Sequence, residues 1–157
     1  MAQTQSNIED VIADYEALWN GDFSKIGVIA ESAAVYDPAA PDGEVHGRDA
    51  IEAFLQETRE AFPDFTLRTQ EMLVKDEMVM VEWTVTGTLE NEFYGAPPSG
   101  RSMEISGMAK TIVRDGQVQE DRLYYDQKDM LAQLGFTFPD VIFLLPKLVW
   151  GKLAGGR

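Results

Sequence analysis

The chain contains no cysteine and one histidine, His46. Without thiols there is no disulfide, no thiolate metal site and no cysteine nucleophile, and a lone imidazole cannot build a site that needs two. Basic residues are scarce too: 13 Lys and Arg stand against 27 Asp and Glu, a formal net charge of −14. A field of that sign repels phosphate backbones, so nucleic acid is not an expected partner. So acidic a surface also fits a protein kept soluble in concentrated salt, with an ordinary acidic protein as the alternative. No apolar run reaches the roughly 18 residues of a membrane-crossing helix. The opening MAQTQSNIED lacks the basic-then-apolar layout of a secretion signal, which makes the cytoplasm the expected compartment. With 7 prolines and 45% hydrophobic residues among 157, the composition is that of a globular chain with room for one domain.

What is present falls into two halves of different period. Over residues 7–20, Ile8, Val11, Ile12, Tyr15, Leu18 and Trp19 recur at helical spacing, with Ser6 or Asn7 as N-cap and Gly21 beyond the end. A short helical piece over 25–31 and a strand over 33–36 follow, stopped by Asp37-Pro38. A second helix spans 49–61, burying Ile51, Phe54, Leu55 and Phe62, and Pro63-Asp64 ends it. The period then changes from helical to twofold. Segments 66–75, 78–89, 102–114 and 117–125 alternate as antiparallel strands, with Asp115-Gly116 a hairpin turn. The stretch 91–101, NEFYGAPPSGR, forms a rim loop, and Asp126 leads into a helix over 128–134 stopped by Gly135. Helices followed by a curled meander predict an α+β fold in which a bent sheet wraps a pocket. The core covers about 7–136; 137–157 is an apolar extension divided by Pro139 and Pro146, expected to cover the pocket mouth or a subunit interface.

The ordered string Trp19-Asn20-Gly21-Asp22, Tyr36-Asp37-Pro38, Gly47, Ala61-Phe62-Pro63-Asp64, Gly87-Thr88, Phe93 to Arg101, Asp115-Gly116, Asp126 and Gln133-Leu134-Gly135 resembles the SnoaL-like polyketide cyclase (ester cyclase) family of the nuclear transport factor 2-like superfamily. The resemblance implies an α+β cone, a homodimer, and a deep apolar cavity that takes a small apolar molecule and needs no cofactor or metal. It also implies an aspartate that removes a proton from carbon beside a carbonyl, giving an enolate that closes a ring.

By that resemblance Asp126 stands at the catalytic aspartate's place. Strict alternation would put Val118, Glu120, Arg122, Tyr124 and Asp126 on one face of the last strand. Burial would raise the carboxylate pKa toward that of a general base. The other role open to Asp126 is that of helix N-cap. Trp19, Tyr36, Trp83, Tyr94, Met108 and Tyr124 are the expected substrate-binding residues, although aromatics and methionines at these periods also serve as plain core. Asp37 reads as a turn aspartate, with a second cavity carboxylate as the alternative. Two histidine positions implied by the resemblance are filled by Leu89 and Asp121, and the penultimate strand has no histidine. Two functions therefore stand side by side: a cyclase or isomerase, and a non-catalytic binder of small hydrophobic ligands.

Overall fold

The computed structural model describes residues 2–137. Helix α1 (Ala2–Trp19) starts well before Asn7, so neither Ser6 nor Asn7 is a cap. Its buried stripe of Ile8, Val11, Ile12, Tyr15, Leu18 and Trp19 is the one the spacing predicts. A 3₁₀ turn, Phe23–Val28, follows, begun by the Asp22 side chain accepting from Ser24 N. The chain is extended from Ile29 onward, which corrects the expected helix over 25–31. Strand β1 (Ile29–Tyr36), the short β2 (Val45–His46), helix α2 (Arg48–Ala61), strands β3 (Thr66–Lys75), β4 (Met78–Thr88), β5 (Ser102–Arg114) and β6 (Gln117–Tyr125), and helix α3 (Gln127–Gln133) complete the described chain.

The six strands form one sheet in the order β2-β1-β6-β5-β4-β3, antiparallel throughout except for the parallel β1–β6 pair. The helices cover its concave face, and Val79, Val81, Trp83 and Val85 of β4 point inward at period two, as do Met103, Ile105, Ala109 and Val113 of β5. Edge strand β3 is stitched to α1. Asn20 bonds both Leu67 O (2.9 Å) and Leu67 N (2.7 Å), and Glu16 accepts Thr69 N at 2.7 Å. Those contacts cover backbone groups that would otherwise recruit another strand.

Register breaks bend the sheet. On β3, Thr69 opposes Trp83 and Glu71 opposes Glu82, leaving Gln70 over. On β6, Val118 opposes Val113 and Glu120 opposes Ile112, leaving Gln119 over. Each added residue increases local twist and reverses which side chains face inward downstream. After Gln119 the inward set is Asp121, Leu123 and Tyr125 rather than Glu120, Arg122 and Tyr124. Among the described residues no helix is long and apolar enough to cross a membrane. The expected role of the apolar extension falls on residues outside those described.

Candidate functional site

Inside the cone is a cavity of about 100 Å3, walled by Trp83, Val85, Met103 and Ile105 of the sheet, Phe54, Thr58 and Phe62 of α2, and Met130, Leu131 and Leu134 of the α3 segment. Phe93 and Ala96 of the rim loop also line it, and among the described residues no Lys, Arg or His does. Among the described lining residues polar groups are few: Asp37, Thr58, Tyr125 and the indoles of Trp19 and Trp83. Thr58 is committed, its hydroxyl donating to Phe54 O at 2.8 Å within α2.

Asp37 follows the end of β1. It is both the turn residue and the cavity carboxylate that the sequence offered as alternatives, because its Oδ1 accepts from Ala39 N (2.9 Å) while the side chain is only 5% exposed. The Tyr125 hydroxyl donates to the same oxygen at 2.6 Å. Burial pushes the Asp37 carboxyl above its ordinary value, and the two hydrogen bonds pull the other way. Both bonds fall on Oδ1.

Tyr125 is placed by a missing side chain. Gly107 on β5 lies between Trp83 on β4 and Tyr125 on β6 in the ladder. With no Cβ between them, the two rings meet edge to face, 5.7 Å apart. A Cβ on Gly107 would come 2.5 Å from Trp83 Cζ2 and 2.6 Å from Tyr124 O. Glycine is therefore required here for close approach.

A smaller chamber of about 30 Å3 adjoins the first, sharing Trp19, Leu67, Trp83 and Leu123 as common wall. At its side Asp121, 3% exposed, accepts from Tyr15 at 3.0 Å on Oδ2 and from Thr111 at 2.8 Å on Oδ1. Burial lifts this carboxyl to about 6, against the two hydroxyl donors. Among the described residues no cluster of three or more acidic or imidazole side chains is placed to hold a metal ion.

Of the expected site residues, the structure brings Trp19 and Trp83 to the cavity and leaves five elsewhere. Asp126 is exposed, is not among the lining residues, and accepts from Asp129 N at 3.0 Å as the N-cap of α3. Tyr124 and Met108 are cross-strand partners on the outer face, 56% and 42% exposed. The Gln119 bulge turns Tyr124 outward, and Met108 sits between inward Gly107 and Ala109. Tyr36 lies outside the cavity wall, 5.9 Å from the His46 ring and with the Arg122 guanidinium 3.8 Å above it. Tyr94 is 43% exposed, at φ 45, and its neighbour Phe93 takes the inner position. Sequence reasoning missed Tyr125, Tyr15 and Gly107 and discounted Asp37. Only Gly107 carried a local signal, as a glycine inside an alternating strand.

The family model for SnoaL-like polyketide cyclase matches residues 9–134. No curated protein matches the chain. Among solved structures, IdmH of Streptomyces antibioticus is 31% identical over 81% of this chain and 97% of its own, with a TM-score of 0.68. A SnoaL-like protein of Jannaschia sp. CCS1 is 21% identical, covering 83% and 92%, at a TM-score of 0.72. A protein of ketosteroid isomerase-like fold from Catenulispora acidiphila, solved with trimethylamine, is 17% identical, covering 81% and 93%, at 0.69.

Proposed function

Because the chain belongs to the SnoaL-like polyketide cyclase family, we propose that it is a cofactor-free cyclase or isomerase in which Asp37, rather than Asp126, removes a proton from carbon beside a carbonyl group. The observation that carries this is a buried carboxylate on an apolar cavity with one oxygen uncommitted. A general base for carbon acids needs that combination of raised basicity and access. Tyr125 acts as a positioning residue. Its hydroxyl holds Oδ1, so Oδ2 stays turned to the guest, and the bond stabilises the ionised form that accepts the proton. The enolate so formed would attack a second carbonyl carbon of the same molecule, or be reprotonated elsewhere, giving cyclisation or isomerisation.

The test is exchange of the α-hydrogens of ethyl acetoacetate for deuterium in D2O, followed by proton NMR. The protein should accelerate exchange over buffer, and Asp37→Asn should lower the accelerated rate by about 10²- to 10⁴-fold. Equal rates for wild type and Asp37→Asn would overturn the assignment. The rival function, a carrier that binds without chemistry, draws on the near-complete apolarity of the wall; saturable binding with no exchange above buffer would favour it.

The proposal extends to a cytoplasmic homodimer joined through the outer face of β5 and β6, where Met108 and Tyr124 stand exposed side by side. Light scattering should give twice the chain mass, and Tyr124→Lys should return the monomer.

A further inference from the structure

The strand register sets the two buried carboxyls beside each other. β1 runs parallel to β6 with Val35 opposite Asp121 and Tyr36 opposite Arg122. Asp37 is two residues beyond Val35, so it stands diagonally across from Asp121. Two residues along and one strand across is roughly 8 Å between Cα atoms. Both side chains are buried, and the wall common to their chambers is Trp19, Leu67, Trp83 and Leu123, which offers no charge to screen one from the other.

Few polar groups face the pair. Asp121 is bordered by Tyr15 and Glu16 of α1, Thr69 of β3 and Thr111 of β5. The chamber of Asp37 adds Tyr125 of β6 and Thr58 of α2, while the α3 segment brings only Met130, Leu131 and Leu134. Lys110 and Arg122 are cross-strand partners that alternate with buried Ala109, Thr111, Asp121 and Leu123, so they point to the outer face. Among the described residues no Lys, Arg or His lines either chamber. Two carboxylates buried without a cation between them disfavour each other's ionisation. After burial, the charge of Asp37 is among the causes that hold the proton on Asp121. That interaction is mutual, because ionised Asp121 opposes ionisation of Asp37 by the same free energy.

We propose that Asp121 is a positioning residue for Asp37, acting by charge across the shared wall, so that the pair loses its two protons in two steps that belong to both groups. This deepens the proposed function and rests on Asp37 being its base. As pH rises through about 6 and Asp121 ionises, Asp37 holds a proton more firmly, and the base strengthens in the range where it must work.

The test is a carbon NMR titration of the intact chain labelled with ¹³Cγ aspartate, from about pH 3 to about pH 9, with the two signals identified by their loss in Asp37→Asn and Asp121→Asn. Asp121→Asn should move the Asp37 midpoint down by about 0.5 to 1.5 pH units, the effect of one charge at that separation inside a protein. Asp37→Asn should lower the Asp121 midpoint, about 6 in the wild type, by an equal amount, and this half of the cycle decides alone if Asp121→Asn does not fold. Asp121→Glu, which restores the charge, should restore the Asp37 midpoint, and molar potassium chloride should leave the displacement in place. Midpoints that stay put in the partner's variant would overturn the inference, as would a displacement that Asp121→Glu fails to reverse. The acid limb of ethyl acetoacetate exchange should move with the Asp37 midpoint. A midpoint that moves while the limb does not would remove Asp37 as the base and leave the charge partnership standing.

Discussion

Two carboxylate–tyrosine pairs lie on the concave side of the sheet, and they differ in where their hydrogen bonds fall and in which chamber they line. Asp37 with Tyr125 and Asp121 with Tyr15 are both buried, and burial raises both carboxyls above the ordinary aspartate range. Asp121 has one donor on each oxygen, Tyr15 on Oδ2 and Thr111 on Oδ1. Asp37 has both donors on one oxygen and lines the larger cavity. Burial and perturbed basicity, the usual marks of a catalytic acid, are thus shared by the proposed base and by a carboxylate hydrogen-bonded on both oxygens within the core. What separates them is that both hydrogen bonds to Asp37 fall on Oδ1, and that Asp37 lines the larger cavity.

The sharpest break of that comparison is to neutralise each carboxylate in turn. Asp37→Asn should cost at least 100-fold in exchange of ethyl acetoacetate. Asp121→Asn should retain most of it, since its oxygens never face the substrate. Equal losses in the two variants would show that the distinction drawn from the hydrogen bonds is empty.

Stability against pH sharpens the same comparison. Asp121 titrates at about 6 in the folded chain, above its unfolded value near 3.8, so the native state holds this proton more tightly. Its contribution is therefore fully present below about pH 4 and is lost as pH rises to about 6, on the order of 3 kcal/mol in all. An asparagine stays neutral, and its amide can donate to Tyr15 in place of accepting. Urea unfolding of Asp121→Asn against wild type should show the variant gaining on the wild type between pH 4 and pH 7.5. A difference that stays flat with pH would remove Asp121 as a titrating core group.

Gly107→Ala strikes the contact that sets the Asp37 side apart. The added methyl must displace Trp83 or the β5–β6 backbone, at about 1–3 kcal/mol of stability. Because Tyr125 packs on Trp83, the acid limb of the exchange pH profile should shift along with the stability loss; a profile that stays in place would uncouple the ring contact from the base. The smallest effect is expected at Asp126, where loss of the α3 cap in Asp126→Ala costs about 1 kcal/mol by urea unfolding and leaves exchange within a few-fold.

Much of the architecture was legible because burial writes itself into periodicity. The stripe of α1, the four long strands and the stop at Pro63-Asp64 all follow from apolar spacing and backbone restriction. The site was less so. Alternation assigns faces only while the strand is regular, and nothing in Gln117 to Tyr125 marks Gln119 as an additional residue, so every inward assignment past it came out inverted. Asp37 was discounted because an Asp-Pro step reads as a turn, and the sequence does not say that this turn faces the cavity. The Asp121–Tyr15 bond joins residues 106 apart, a pairing no local pattern can announce.

The surplus residue at Gln119 makes counting matter more than chemistry in the β5–β6 hairpin. Excising it would place Val118 and Asp121 two positions apart, so Asp121, Leu123 and Tyr125 would stay inside on a straighter strand, whereas excising Arg122 instead would turn Leu123 and Tyr125 outward. Anyone grafting this hairpin into another scaffold, or trading it with a cousin's, must match segment length before composition.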